Sequence, residues 1–503
     1  MADEKPPARI SRRLFATSRS EMRIRYRMLT YSFENTGSDS LYEYLYKCIK
    51  NDIMSHNLAP DYKLPSKRSF AKNLGVSTIT VENAYEQLIA EGYIYSVPKK
   101  GYYVSDIAKL SGFLPVSGIS REKTETPLHE CEKPAPEYFA DLTSNRTNSE
   151  NFPFYTWAKL MKDVMADKKE ELLKPSPSEG VYELRCAISR HLKAFRGMDV
   201  SPSRIIVGAG TEYLYTLLIQ LLGQDKIFAV EEPGYGKIRQ IYKSNRAKCI
   251  SIPMDKEGVD INALSASSAG ILHLSPSHHY PTGIVTPISR RYELLGWALK
   301  SDGRYIIEDD YDSEFRLLGK PIPSLESIDV SEKVIYMNTF TKTLSPTIRI
   351  SYMILPVSLT ERFRQKLNFY SCTVSNFEQY TLACFIDKGC FEKHLNRMRI
   401  LYRRQRDTFI DEIGKSPLSE LAEIHEENSG LHFLLEVKTE LTDEELALRA
   451  ADNGLKISFL SSYYSDKSLA VPHTLVINYS ALTQEKIKET VRRLYLSLTG
   501  QTP

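Results

Sequence analysis

The stretch Val334-Ile-Tyr-Met-Asn-Thr-Phe-Thr-Lys342-Thr-Leu-Ser-Pro-Thr-Ile-Arg349-Ile-Ser-Tyr-Met-Ile-Leu355 sets two apolar, β-rich runs around a short polar segment. That segment holds one lysine, and an arginine follows seven residues later. A lysine held between buried strands is kept from water, which lowers its pKa and frees its amine for Schiff-base chemistry. Hydroxyls at Thr339 and Thr341, with the planar guanidinium of Arg349, can grip a phosphate dianion from several sides. A lysine for an aldehyde and an arginine for a phosphate are what pyridoxal phosphate requires. A surface turn between two strands would account for the same residues, and these alone do not choose between the readings.

The upstream sequence Gly303-Arg-Tyr-Ile-Ile-Glu-Asp309-Asp310-Tyr311-Asp312-Ser-Glu-Phe is a strand running into a cluster of carboxylates. Three aspartates repel one another in a core, so a cationic partner or solvent is expected beside them. A protonated pyridine nitrogen is such a partner: Asp309 would keep the ring cationic and electron-withdrawing. Tyr311, on the same side of an extended chain, would donate to the ring's phenolate oxygen. Earlier, Ser275-Pro-Ser-His-His-Tyr-Pro281-Thr-Gly283 closes another strand. With these motifs together, the chain from about residue 138 onward resembles a fold-type-I aminotransferase. The motif versions resemble those of the MocR/GabR branch of the GntR transcription regulators. The fold class so implied is α/β: an N-terminal winged helix-turn-helix joined to a PLP-dependent aminotransferase fold type I. That fold has a mostly parallel sheet in its large domain, an α+β small domain from about residue 360, and pyridoxal 5'-phosphate as cofactor.

A chain of 503 residues exceeds one ordinary domain. Hydrophobic content of 42% and charged content of 26% are those of a water-soluble globular protein. A net charge of +3 is too small to argue for nucleic acid by itself. The seven cysteines form no C-x-x-C pair and their number is odd, which reads as reduced thiols, not a disulfide frame or a zinc site. No apolar run approaches the roughly 18 residues of a membrane span, and no secretory signal opens the chain. The expected location is cytoplasmic, with no membrane partner and no metal.

Residues 1–35 read as a basic tail carrying Arg9, Arg12, Arg13, Arg19, Arg23, Arg25 and Arg27. This is a phosphate-contacting arm or simply a solvated end. Met28-Leu-Thr-Tyr-Ser resembles the start of a regulator of this family, so the preceding residues read as an extension. Residues 36–106 read as a winged helix-turn-helix. Leu41, Tyr44, Leu45, Cys48, Ile49 and Ile53 recur at helical spacing. Ser66 caps a second helix through Leu74, Gly75 turns the chain, and Ser77 caps a third with Val81, Ala84, Tyr85, Leu88 and Ile89 inward. Two short strands around Pro98-Lys99-Lys100-Gly101 make the wing. The third helix then offers Ser77, Thr78, Thr80 and Glu82 to a major groove, and Lys99 and Lys100 suit a backbone contact. An interaction module would share this helix pattern, but Leu64-Pro-Ser-Lys-Arg68-Ser-Phe-Ala-Lys-Asn-Leu-Gly-Val-Ser-Thr-Ile-Thr-Val resembles the GntR head along its length. The resemblance implies DNA contacts from Ser66, Arg68 and Thr78, and a wing whose backbone approaches DNA at Gly101.

Residues 107–137, rich in Pro and Gly among charges, read as a linker. Beyond it, strand-like and helix-like runs alternate, as in a parallel sheet whose sites lie at strand C-termini. Val207-Gly208-Ala-Gly210-Thr211-Glu212 runs from strand to helix and offers backbone N–H groups to a phosphate. Tyr235, after Glu231-Glu-Pro-Gly, resembles the ring that stacks on the pyridine face; a core-packing tyrosine reads equally well. His432–Val437, residues 456–459 and 475–479 are expected to pair into a small mixed sheet.

Departures from aminotransferases weigh on function. Tyr280 stands where an asparagine usually precedes Pro-Thr-Gly, and Pro175 stands where the partner subunit usually supplies a tyrosine, ahead of Gly180. No arginine occurs around Leu475–Tyr479 to hold a substrate carboxylate; Arg146 and Lys237 are the substitutes on offer. The expectation is therefore a DNA-binding regulator that senses a small metabolite through a Lys342-bound cofactor: a vitamin B6 compound, with cofactor occupancy itself as the signal, or alternatively an amine or amino acid. The alternative is a working aminotransferase with a DNA-binding appendage. A double-stranded operator and a second, head-to-tail copy of the chain are the partners that the resemblance implies.

Overall fold

The computed structural model describes residues 29–33, 39–106, 137–143, 149–317, 322–428 and 430–501. Most of the basic tail and of the linker, and Arg146, lie outside these residues. The chain divides into two compact units, one ending at Lys133 and the other starting at Pro134.

In the first unit, α1 (Leu41–Met54) begins with a capping box, the Ser40 amide donating to Glu43 at 3.0 Å. The helices α2 (Lys67–Leu74) and α3 (Thr78–Ala90) start at Ser66 and Ser77, whose hydroxyls accept from the amides of Ser69 and Thr80. Gly75, at φ 68°, makes the turn between them. A two-stranded wing follows, β1 (Ile94–Val97) antiparallel to β2 (Gly101–Val104). Leu45, Ile49, Phe70, Val81, Ala84, Tyr85, Leu88, Ile94 and Val104 close the core. Two residues expected inside lie out: Leu41 is 46% exposed and Ile89 36%. The buried stripe on α3 runs 81, 84–85, 88, so position 89 falls on its rim, and Leu41 occupies an uncovered first turn. Residues 29–33 pack onto this core: the Tyr31 hydroxyl donates to Asp52 at 2.7 Å, and the Asn73 side-chain amide donates to the carbonyl of Leu29 at 3.0 Å.

The second unit opens with β3 (Ala140–Asp141). Its main sheet is built from β4 (Ile205–Gly208), β5 (Ile227–Glu232), β6 (Lys248–Asp255), β7 (Gly258–Val259), β8 (Ile271–Leu274), β9 (Tyr305–Asp309), β10 (Val334–Thr339) and β11 (Ser351–Ile354). Their order is β4-β11-β10-β9-β8-β5-β6-β7. The central pairs are parallel, with Tyr336 beside Glu308 and Leu274 likewise beside Glu308 on the other edge; β11 and β7 run antiparallel to their neighbours. Alternation sends successive side chains to opposite faces. Ile307, Phe228 and Val230 meet the helices Thr211–Leu222 and Val357–Leu367, while Ile306, Ala229 and Leu272 meet Trp297 of Ile288–Leu299.

The smaller lobe differs from expectation in its pairing. Its sheet is β12 (Ala422–His425), β13 (His432–Val437) and β15 (Thr474–Asn478), wholly antiparallel. Between the last two, β14 (Leu455–Lys456) pairs in parallel with β3 instead. The backbone of residues 140–142 is thus taken up by Gly454, Lys456 and Asn478. Of residues 456–459 only the end reaches the antiparallel sheet, through a single bridge from Phe459 to Leu475 and the Val476 amide donating to the Ser458 carbonyl at 2.9 Å. The helices Cys390–Lys415 and Gln484–Thr499 cover this lobe.

Candidate functional site

The C-terminal ends of β5, β8, β9 and β10 open onto a cavity of about 410 Å³. Lys342, Asp309, Tyr311, Arg349, Tyr235, Thr211, Thr339 and Thr341, all singled out from sequence, line it together. Gly210 forms the turn at its edge.

Lys342 projects from the one-turn helix Phe340–Thr343, which Thr339 starts by accepting from the Thr341 amide. Burial pushes the Lys342 ammonium below its usual pKa, against the opposing pull of Asp312 and Asp309. Asp309 ends β9 with its carboxylate inward. One oxygen, Oδ2, accepts from the hydroxyl of the buried Tyr215 and lies 3.6 Å from His273 Nε2. The other, Oδ1, is buried with no hydrogen bond. The neighbouring acids are separately partnered: Asp310 by Arg196 and by the Tyr336 hydroxyl at 2.6 Å, Asp312 by His278 Nδ1 at 2.9 Å. Tyr311 leaves the strand line, and its hydroxyl stands 3.4 Å from His278 Nδ1.

At the other end, Gly210 has φ 89°, and a Cβ there would come within 2.5 Å of the Arg349 guanidinium. The arginine therefore lies flat against the turn. Within the turn, the Ala209 and Gly210 amides are taken by Thr373 and Gly208. The amides of Thr211 and Glu212, first in the helix, are what remains for an anion. Thr339 is less free than the sequence suggested, because its hydroxyl bonds Thr341 and Ser351 at 2.8 Å each. Tyr235, half-exposed, turns edge-on to Tyr280 with ring centroids 6.1 Å apart. The Tyr280 hydroxyl, in the asparagine's place, pairs with Tyr463 at 2.6 Å.

Sequence reading missed Tyr215, His273, Glu231, Arg239 and Asn478, which line the same cavity. Glu231 is buried, its Oε2 accepting from the Ser275 amide at 2.9 Å and its Oε1 unpartnered; burial pushes its carboxyl up to about 8. Arg239 is held by Glu232 and by Ser465 at 2.8 Å. The carboxylate substitutes fare differently. Lys237 is bonded to Glu212, and Val476 sits in an apolar cluster with Leu434 and Leu460. Arg492 and Arg493 both pair with Glu489.

In the first unit, Ser66, Arg68, Ser77 and Thr78 are exposed at the starts of α2 and α3, and Lys99 and Lys100 are exposed in the wing turn. Lys99 takes φ 64° and Gly101 118°, the conformations that close the tight wing turn. Thr80 is half-buried and its hydroxyl bonds Ser77 at 2.8 Å, while Glu82 is paired with Lys67 at 2.6 Å. Ile79, which the sequence reading did not single out, is 67% exposed at the start of α3.

These features define a winged helix-turn-helix on an aminotransferase-type body. Residues 139–494 match the family described as Aminotransferase class I and II, and residues 41–104 match Bacterial regulatory proteins, gntR family. The HTH-type transcriptional regulator YdeL of Bacillus subtilis is 37% identical over 90% of this chain and 96% of its own. PdxR of Corynebacterium glutamicum, described as an HTH-type pyridoxine biosynthesis transcriptional regulator, is 30% identical over 81% of this chain and 85% of its own. Among solved structures, the Pyrococcus horikoshii kynurenine aminotransferase superposes with a TM-score of 0.64 at 22% identity, over 73% of this chain and 92% of that one. The chain belongs to the MocR/GabR branch of the gntR family of bacterial regulators.

Proposed function

We propose that the protein regulates transcription by binding an operator through residues 36–106 and pyridoxal 5'-phosphate through its aminotransferase-like unit, cofactor occupancy being the signal. The observation that carries the reading is the pair of complementary ends in one cavity. Asp309 Oδ1 is buried and unpartnered at one end, and Arg349 lies against the Gly210 turn at the other, with Lys342 lining the wall with them. A pyridinium nitrogen satisfies the first, a phosphate the second, and an aldehyde the depressed amine. When bound, the cofactor supplies a reversible covalent link to the lysine and an electron-withdrawing ring. This chain's residues would do the rest: Tyr215 holds Asp309 in place, Tyr311 would donate to the phenolate oxygen, and Tyr235 would cover the ring.

Vitamin B6 supply is the process this site would govern. The relative described as a pyridoxine biosynthesis regulator supports that reading, and so does the apolar cluster at Val476, where an aminotransferase would hold a substrate carboxylate. Steady turnover with an amino donor would favour a working aminotransferase instead. The protein is a homodimer in this reading, its exposed Leu173 and Phe369 being covered by the second copy.

The purified protein, once loaded, is expected to be yellow, and borohydride to fix the cofactor to the Lys342 peptide. Lys342→Ala should abolish the fixed adduct. An adduct mapped to another lysine would overturn the assignment. Pyridoxal phosphate alone should change operator affinity; equal affinity with and without it, shifted instead by an amino acid, would refute occupancy as the signal.

A further inference from the structure

Three charged side chains meet at the phosphate end of the cavity, and one of them has the wrong sign for a phosphate. Glu212 opens the helix Thr211–Leu222, and its two carboxylate oxygens are divided between two cations. Oε2 accepts from Arg349 Nη2 at 3.1 Å, and Oε1 accepts from Lys237 Nζ. All three residues line the cavity. The hydrogen bond from Lys237, reinforced by Arg349, holds the Glu212 carboxyl below its usual range, so it is ionised at neutral pH. A phosphate arriving at the Thr211 and Glu212 amides therefore meets two cations already sharing one anion. The local charge it sees is +1, where the same site without the carboxylate would present +2.

Among the described residues the carboxylate bonds Lys237 and Arg349 alone, and it is 38% exposed. Arg349 cannot retreat without leaving the Gly210 turn it rests on. The exchange open to the site is therefore one of anions around a fixed guanidinium. We propose that Glu212 is a built-in competitor for the phosphate: it holds Arg349 and Lys237 when no phosphate is present and gives up Arg349 when one binds. The competition sets affinity for phosphate-bearing ligands without touching recognition of the ring. A site that binds its ligand too tightly reports nothing, since occupancy then no longer follows concentration. Glu212 lowers phosphate affinity into a reversible range, as occupancy sensing requires. This inference rests on the cofactor reading above.

The test uses the full chain freed of vitamin B6 compounds, and Glu212→Gln, which keeps the shape and removes the charge. Inorganic phosphate binding is read by calorimetry, and pyridoxal phosphate and unphosphorylated pyridoxal by absorbance titration. Glu212→Gln is expected to bind inorganic phosphate and pyridoxal phosphate on the order of tenfold more tightly, as removal of one nearby like charge in a half-exposed site implies. Its affinity for pyridoxal should stay within about twofold of the parent, as expected of a ligand lacking the phosphate charge. Unchanged or weaker phosphate binding overturns the proposal and makes Glu212 an orienting partner of Arg349, as does phosphate binding to neither protein. If pyridoxal phosphate binds neither protein while inorganic phosphate tightens in the variant, the cofactor reading fails and the competitor stands. If pyridoxal phosphate is fixed to Lys342 equally well in both, the cofactor reading stands and the competitor fails.

Discussion

Asp309, Asp310 and Asp312 are near neighbours in sequence, yet Tyr215 and His273 attend the first, Arg196 the second and His278 the third. Splitting the cluster this way removes the mutual repulsion that the sequence implied and leaves one oxygen of Asp309 to the cavity. Of such groups among the described residues, Glu231 faces only His279, 3.6 Å away, whose ring burial keeps neutral. Burial holds its carboxyl at about 8, so the folded protein keeps a proton that the unfolded chain loses near 4.5. A raised pKa contributes stability that is complete below the unfolded value and lost as pH rises through the folded one. Glu231→Gln, which needs no proton, should therefore gain on the parent as pH climbs from about 5 to 9. Melting temperatures of the two cofactor-free proteins across that range check it, and a difference independent of pH would refute it. Tyr215 and His273 escaped notice in the sequence because each sits inside an apolar run and reads as core, and Glu231 because it reads as the polar end of a strand. The usable signal is that a polar atom in such a run needs a partner.

The helices and strands of the first unit show what an element's sequence can say about itself. Ser66 and Ser77 announce their helices because a capping hydroxyl is a local device, complete within three residues. Ser77→Ala should cost about 1 kcal/mol and lower the melting of this unit by roughly 5 °C. Calorimetry resolves that transition, and an unchanged midpoint would mean the Thr80 amide finds another acceptor. Arg68→Ala removes an exposed cation from α2. Operator affinity should fall and its salt dependence flatten by about one phosphate contact, with the cofactor spectrum unaltered. A variant that binds the operator as the parent does would show that Arg68 faces away from DNA. Alternating strands and helices in the second unit were equally plain, as were Lys342, Asp309 and Arg349 at strand ends. What was not legible is pairing at a distance. Ala422-Glu-Ile-His becomes a strand only beside β13, and residues 455–456 join β3 because partners more than 300 residues apart meet there.

Across the second unit, large apolar side chains stand exposed at Leu173, Phe369 and Phe377, on segments joined by the bond from Asn376 to the Lys174 carbonyl. Thr373, in the same stretch, holds the Ala209 amide. A surface of this kind is costly to leave in water and suits a second copy of the chain. Sedimentation at micromolar concentration should give a dimer, and Phe369→Glu should shift it towards monomer and weaken pyridoxal phosphate binding as well. A monomeric parent protein with cofactor bound would contradict this. Among the described residues no helix is long and apolar enough to cross a membrane.

The parallel pair of β3 and β14 has a mechanical consequence. Residues 140–142 are stitched on one side to Gly454 and Lys456 and on the other to the Asn478 amide, while Thr143, the next residue, and Asn478 itself line the cavity. The strand that opens this unit is therefore built into the cavity wall, and a ligand that displaces Thr143 or Asn478 bears directly on β3.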